Sequence, residues 1–404
     1  MFTNQEPPDM IDVAAVQAVL RDNAIDAWLL YDFRGLNVLA RRVLGFGDDV
    51  FLSRRWFYLI PAHGEPKKLV HRIEPAALAA YPGTTEIYLR WQELEAGVGR
   101  IVGGHKTIAM EYVARNANPY PSRVDAGTVE LVRSFGANVV SSGDLVATFE
   151  ATWDDEQWAM HLEAAKHTRS AYDVAFGLIQ SRVRAKQEVR ESDVIQAILD
   201  HFAANGVETD HNPICGVNEH SGDPHYSTTP ATDSIIKPGD FVLVDLWAKC
   251  KKPRAVYSDL TRVAYVGAEP PSRHQEIFAI VAKARDAAIE RVRRAFAANE
   301  PLFGWQVDEA CRGVIDAAGY GPQFVHRTGH SIGQEVHGNG ANMDGLETRE
   351  DRKVLRRTCF SVEPGIYLPE FGVRSEVDVF VDKDGKVHVT GGEPQTRIEA
   401  LVIE

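Results

Sequence analysis

Four carboxylates and one imidazole in the C-terminal part of the chain are the residues whose types and setting point most directly to chemistry. Asp245 ends the apolar run Phe241-Val242-Leu243-Val244, and Asp259 sits in Tyr257-Ser258-Asp259-Leu260-Thr261-Arg262. His330 lies in His326-Arg327-Thr328-Gly329-His330-Ser331-Ile332-Gly333, Glu363 in Val362-Glu363-Pro364-Gly365, and Glu376 in Val373-Arg374-Ser375-Glu376. Such a set fits two divalent cations sharing bridging carboxylates, and four anions balance two dications. Paired ions of this kind can clamp a water, lower its pKa and stabilise the oxyanion formed on attack. Oxygen-rich ligation with one imidazole suits Mn²⁺ or Co²⁺, and Zn²⁺ also fits.

Each residue taken singly has an ordinary reading beside the chemical one. A carboxylate after a buried-looking run is costly unless paired or metal-bound, yet Asp245 also reads as a strand-end aspartate capping a turn. Asp259 reads equally as the partner of Arg262, Arg374 and Glu376 as a surface ion pair on one strand face, and Glu363 as a solvated residue before the Pro364-Gly365 turn. His326 and His330 are four apart, but no Glu follows the first, so the helical zinc-protease signature is absent. Gly329 and Gly333 disfavour a regular helix; on extended backbone the two histidines share a face. Three histidines in twelve residues, His326, His330 and His337, interleaved with glycines that permit close backbone approach, are harder to treat as structural.

The elements that must position these groups follow from periodicity. Over the first ~150 residues helix and strand alternate. Val13, Val16, Val19 and Leu20 form a helical stripe; Ala27–Tyr31, Trp56–Ile60, Leu69–Ile73, Glu86–Leu89, Thr107–Tyr112 and Asn138–Ser141 read as strands of a mixed α/β sheet. From about residue 151 the texture changes. Trp158, Leu162, Ala165, Val174, Leu178 and Ile179 fall on one side of a long helix, and Ser192 is placed to cap a second carrying Val194, Ile195, Ile198 and Phe202. Strands at Phe241–Trp247 and Val256–Val266 follow. The order then recurs: Ser272 with Gln275 makes a capping box for a helix through Val292, another helix runs from Trp305 to Ala318 before Gly319, and strand-like stretches lie at Gln323–Arg327, Thr358–Glu363 and Glu376–Val381. Helix, helix, strands occurs twice, which predicts two related halves enclosing one site.

Composition bounds the partners. A chain of 404 residues accommodates two domains, and 44% apolar content suffices for a large core. A net charge of −13 argues against nucleic acid or an anionic membrane as partner. No run is long and apolar enough to span a bilayer, and Met1–Pro8 shows no basic region leading into an apolar stretch, so no secretory signal is read there. Cys215, Cys250, Cys311 and Cys359 are scattered without zinc or redox spacing and read as free thiols in a reducing, cytoplasmic compartment.

Taken together, these segments resemble the pita-bread metallopeptidases of family M24, specifically the Xaa-Pro peptidases (prolidase and aminopeptidase P). The matching stretches are Pro224-His225-Tyr226, Asp245, Ser258-Asp259-Leu260-Thr261-Arg262, His326-x-x-x-His330-Ser331-Ile332-Gly333-x-x-x-His337, Val362-Glu363-Pro364-Gly365-Ile366-Tyr367 and Arg374-x-Glu376. The resemblance implies an α+β architecture: a pita-bread catalytic domain over residues 153–404, and a smaller α/β domain of creatinase/prolidase type over residues 1–152. It further implies that Asp245, Asp259, His330, Glu363 and Glu376 are metal ligands, Asp259 and Glu376 bridging. Glu363 would also be the general base, His225, His326 and His337 would hold substrate and tetrahedral intermediate, and Arg374 would support the network. The implied substrate is a short proline-containing peptide, and the implied assembly a homodimer.

The chain departs from the common pattern between Asp245 and Asp259, an interval a few residues longer than usual, with Trp247 where a glycine is usual. The basic tip Lys249–Arg254 is the apparent insertion. It reads either as a solvated hairpin turn or as a device that pairs with a substrate carboxylate. Creatinase-like and ectoine-type hydrolases on the same fold are alternatives, as is a non-catalytic peptide-binding module. The first and last typically lack the ligand set that is complete here. Methionine aminopeptidases share the ligands but normally lack a large N-terminal domain.

Overall fold

The computed structural model describes residues 11–47 and 50–403; the Met1–Pro8 segment read above lies outside them. Contacts divide the chain into two compact units, Met1–Glu150 and Ala151–Glu404.

In the first unit the elements are α1 (Val13–Asp22), β1 (Ala27–Asp32), α2 (Val38–Val43), β2 (Trp56–Pro61), β3 (Lys67–His71), β4 (Thr84–Tyr88), α3 (Trp91–Val102), β5 (Thr107–Met110), α4 (Ala126–Ser134), β6 (Asn138–Ser141) and α5 (Gly143–Glu150). They build one six-stranded sheet in the order β4-β3-β2-β1-β5-β6. It is mixed, with β1 antiparallel to β2 and parallel to β5. Alternation along the strands divides their residues between two cores: Trp28, Leu30, Tyr58 and Ile60 pack on one face, and Ala27, Leu29, Phe57 and Leu59 on the other. Burial on both faces explains why these strands read as continuous apolar runs.

The second unit carries α6 (Asp155–Arg184), α7 (Glu191–Ala204), β7 (Val207–Glu208), β8 (Ile214–Val217), β9 (Phe241–Cys250), β10 (Tyr257–Tyr265), α8 (Ser272–Ala297), α9 (Gly304–Ala317), β11 (Ser331–Ile332), β12 (Thr358–Val362), β13 (Gly365–Tyr367), β14 (Gly372–Arg374), β15 (Val377–Val381), β16 (Val387–Thr390) and β17 (Glu399–Ala400). One sheet runs β17-β10-β9-β7 with β8 also on β9, a second runs β11-β12-β15-β16, and β13 pairs with β14. Helices α6 and α7 share a core with β9 and β10 through Ala171, Ile179, Ile198, Val244 and Leu260. Helices α8 and α9 share another with β12 and β15 through Val281, Ile315, Phe360 and Val379. The expected repetition of helix, helix, strands is therefore present.

Four local expectations need correction. The stripe on α6 is only partly right: Ala165 and Ile179 are buried, but Leu162 is 44% exposed, and the buried face also includes His161 and Thr168. These polar groups are tolerated because each is paired. His161 bridges the Tyr257 carbonyl (2.8 Å) and Thr390 Oγ1 (2.7 Å), and Thr168 meets Ser258 Oγ at 2.9 Å. Ser192 is not a cap. Arg190 holds that position, Asp193 accepts from its N–H, and Ser192 bonds Asp233. Ser272 lies inside α8 behind Pro271, and Gln275 Nε2 donates to the Pro270 carbonyl, so no capping box forms there. The stretch 323–327 is irregular rather than a strand, because Arg312 takes up the carbonyls of Phe324 and His326.

Candidate metal centre

The antiparallel hairpin of β9 and β10 supplies the first two carboxylates. Its register places Asp245 opposite Thr261 and Trp247 opposite Asp259. Side chains alternate across a strand, so these four share one face, while Leu246, Ala248 and Leu260 point into the helix-covered core. Asp245 thus lies mid-strand, not at a strand end. Arg262 falls on the opposite face from Asp259 and donates to the Glu393 carbonyl at 2.6 Å, which removes the Asp259–Arg262 pairing.

The other half supplies the rest. His330 immediately precedes β11, and its N–H donates to Ser361 Oγ on β12 at 2.9 Å. A side chain at Gly329 would collide with the Ser361 carbonyl, so only glycine allows this approach. His330 Nδ1 meets the Ser331 carbonyl at 3.1 Å, which makes it the protonated nitrogen. The Nε2 lone pair then faces the cluster, 3.4 Å from Asp259 Oδ2 and 3.6 Å from Glu363 Oε1. Glu363 follows β12 and accepts from Ser361 Oγ at 3.2 Å. Glu376 stands between β14 and β15 and accepts from Thr261 Oγ1 at 2.8 Å. Donor atoms of Asp259, His330 and Glu376 all lie within 4.8 Å of one another. Arg374 does not form a surface pair with Glu376: both are buried, and Arg374 grips Asp245 while its Nε donates to Thr261 at 2.9 Å.

Electrostatics mark the cluster as a cation site. Burial, more than any other cause, pushes the carboxyls of Asp245, Asp259 and Glu376 up, and repulsion among these acids and Glu363 adds to it; Arg374 acts the other way. Asp245 Oδ1 and Asp259 Oδ1 are buried with no hydrogen-bond donor. A carboxylate oxygen buried without a donor is expensive unless a cation faces it. One guanidinium cannot neutralise four carboxylates, whereas dications would, so the residues present fit a divalent-metal centre.

The imidazoles are tuned to neutrality. Burial pushes His330 down to about 3, with His337 and Arg327 helping. His326 is likewise held at about 3 by burial and then Arg374, and the solvent-facing His337 is lowered, first by partial desolvation and then by Arg327. Neutral rings can ligate or donate one proton each at physiological pH. The rings of His330 and His337 meet edge-on with centroids 4.4 Å apart. His326 Nδ1 donates to the Arg327 carbonyl at 2.7 Å, so its Nε2 accepts from the Tyr367 hydroxyl at 2.7 Å, and that hydroxyl accepts from Arg374 at 3.2 Å. His225 is exposed.

Sequence reasoning did not single out Thr261, Tyr367, Ser361 or Asp378. Thr261 bridges Glu376 and Arg374; its place two residues after Asp259 was the available signal. Asp378 accepts from Ser258 Oγ (2.9 Å) and the Asp259 N–H (3.2 Å) and is pushed up to about 8 by burial. In the basic tip, Lys249 shares the strand face of Asp245 and Trp247, whereas Lys251 and Lys252 lie at the exposed turn. Lys249 donates to the Gln334 carbonyl at 2.8 Å and sits over Tyr257, and Arg254 pairs with Asp154. Lys251 is four residues beyond Trp247, roughly 13 Å along the strand.

Fold and cluster together define the pita-bread class, an α/β unit joined in sequence to a two-halved unit with a carboxylate-rich centre. The chain belongs to metallopeptidase family M24, whose model matches residues 159–383. It is 33% identical over 258 residues to the putative dipeptidase YkvY of Bacillus subtilis, covering 63% of this chain and 64% of that protein. It is 32% identical over 216 residues to the Xaa-Pro dipeptidase of Lactobacillus helveticus, 53% of each chain. The matches thus span between half and two thirds of these relatives. In three dimensions the chain is similar to the X-prolyl aminopeptidase of Caenorhabditis elegans, a cytosolic enzyme with a di-nuclear active site: TM-score 0.62 at 16% identity, covering 98% of this chain and 65% of that one. No helix among the described residues is long and apolar enough to cross a membrane.

Proposed function

We propose that the chain is a dinuclear-metal hydrolase that cleaves the Xaa-Pro amide bond of dipeptides or peptide N-termini. The observation that carries this is the buried carboxylate cluster around His330 Nε2, with donorless oxygens on Asp245 and Asp259. Asp245, Asp259, His330, Glu363 and Glu376 would hold two divalent ions, Mn²⁺ or Co²⁺ by their chemistry, with Zn²⁺ also suited. When bound, such ions supply Lewis acidity and a water acidified toward pKa ~7.

The chain's own residues do the remainder. Glu363 is the group for proton transfer, since it is the least enclosed of the five. The leaving group of an Xaa-Pro bond is a secondary amine that must gain a proton, and Glu363 delivers it. His337, as a neutral donor, and His225 at the exposed rim orient the scissile carbonyl and the intermediate, while His326 lines the site with its proton committed to the Arg327 carbonyl. Arg374 fixes Asp245 and, through Tyr367, the ring of His326. We further propose domains at residues 1–152 and 153–404, assembly as a homodimer, and a cytoplasmic location, the last supported by four buried free cysteines.

Exhaustive chelation should abolish Ala-Pro hydrolysis, Mn²⁺ or Co²⁺ should restore it, and elemental analysis should find up to two ions per chain. Undiminished hydrolysis by metal-free protein would overturn the proposal and favour a creatinase-like mechanism.

A further inference from the structure

The residue opposite Asp259 in the hairpin is Trp247, on the face that carries the metal-centre carboxylates. Its ring is partly exposed and packs against a buried cluster that includes Tyr257 and Ile332. Its indole N–H donates to Asp210 Oδ1 at 2.8 Å. Asp210 stands on the loop between β7 and β8. This anchor on the hairpin holds the Asp210 side chain beside the strand face that carries Asp245 and Asp259. The other Asp210 oxygen lies 3.2 Å from His211 Nδ1, a largely exposed ring, and Asp210 itself remains 42% exposed. It is an anion held by Trp247 on the hairpin face that carries Asp245 and Asp259, it is open to solvent, and it is not among the proposed metal ligands.

A peptide with a free N-terminus carries an α-ammonium next to the bond to be cut. Once dications balance the buried carboxylates, those groups offer little net attraction to a further cation. Asp210 is positioned to supply it, and the Trp247 ring beside it offers an apolar wall to the first side chain. We infer that Asp210, oriented by Trp247, is a specificity-determining residue that pairs with the α-ammonium of the substrate. This rests on the Xaa-Pro hydrolase reading. It also assigns a use to the tryptophan that replaces the usual glycine.

The test compares Ala-Pro with propionyl-Pro, the same molecule without its amino group, in the metal-loaded wild type and in Asp210→Asn and Trp247→Phe. An ammonium–carboxylate hydrogen bond of ordinary strength predicts that the ratio of kcat/KM for Ala-Pro over propionyl-Pro falls about tenfold or more in Asp210→Asn. The change should lie mainly in KM, with metal content unaltered. Trp247→Phe keeps a ring but loses the donor and should lower the ratio less. An unchanged ratio, or a drop in metal content in Asp210→Asn, overturns the inference. If the wild type cleaves neither compound, the Xaa-Pro reading fails. The Asp210 assignment is then decided by calorimetric binding of the same two compounds, with equal affinity or no binding counting against it.

Discussion

Each of the two units buries carboxyl groups in its core, and the two environments are opposites. In the first, Glu111 is wholly buried, yet Trp28 Nε1, Asn37 Nδ2 and Ser142 Oγ each donate to it at 2.8 Å. Burial raises its pKa, and those three donors pull it back. In the second, Asp245 and Asp259 each keep one buried oxygen without a donor, and the neighbouring groups are mostly further acids. Burial of an acid is therefore not the mark of a site. A saturated carboxylate cross-links strands; an unsaturated cluster of them calls for a cation.

The largest effects that separate the two should be catalytic. Glu363→Gln removes a ligand charge and the proton carrier together. It should lower kcat for Ala-Pro by on the order of 10² or more, with weaker metal binding. His337→Ala leaves the proposed ligands intact, so metal content should hold while kcat/KM falls. Steady-state kinetics beside elemental analysis checks both; a His337→Ala protein that empties of metal while Glu363→Gln stays fully active would reverse these roles. Glu111→Gln should do the converse. An amide cannot accept from three donors, so unfolding free energy should drop by about 1–3 kcal/mol in denaturant titrations, with metal content and kcat/KM near wild type.

A subtler difference lies in pH. The carboxyls of Asp245, Asp259 and Glu376 are raised above their ordinary values of 3.8 and 4.5, so in the absence of metal folding takes up protons. Stability of metal-free protein should then be greatest at low pH for these groups and decline as pH rises above those ordinary values. Glu111 contributes in the same direction, so only the part of the slope that Mn²⁺ abolishes reports on the cluster. Thermal melts across pH with and without metal would show it, and identical slopes would break the contrast. The smallest effect concerns the basic tip. Lys251 and Lys252 are exposed at the turn, and replacing both with alanine should leave kcat/KM for Ala-Pro and for Ala-Pro-Ala changed by less than about twofold.

Much of this was legible in the chain because it rests on short-range patterns. Apolar runs marked the sheets, the repeated helix-helix-strand order marked the two halves, and the residue types at 245, 259, 330, 363 and 376 pointed to one cluster. What escaped depends on partners far apart in sequence. His161 and Thr168 look misplaced on a buried helix face until Thr390 and Ser258 are seen to satisfy them. Trp247 looks like a simple departure from pattern until Asp210, 37 residues earlier, is found beneath its N–H. Helix starts at Arg190 and Pro271 carry no capping signature of their own, so the nearest serine was the wrong guide.

The central claim is that the donorless oxygens of Asp245 and Asp259 face metal. Crystals loaded with Mn²⁺ and measured at its absorption edge test it most directly. Two anomalous peaks should appear among Asp245, Asp259, His330, Glu363 and Glu376, each at bonding distance from carboxylate oxygen. No peak there in crystals that hold Mn²⁺ elsewhere, with water in contact with both oxygens, would contradict it.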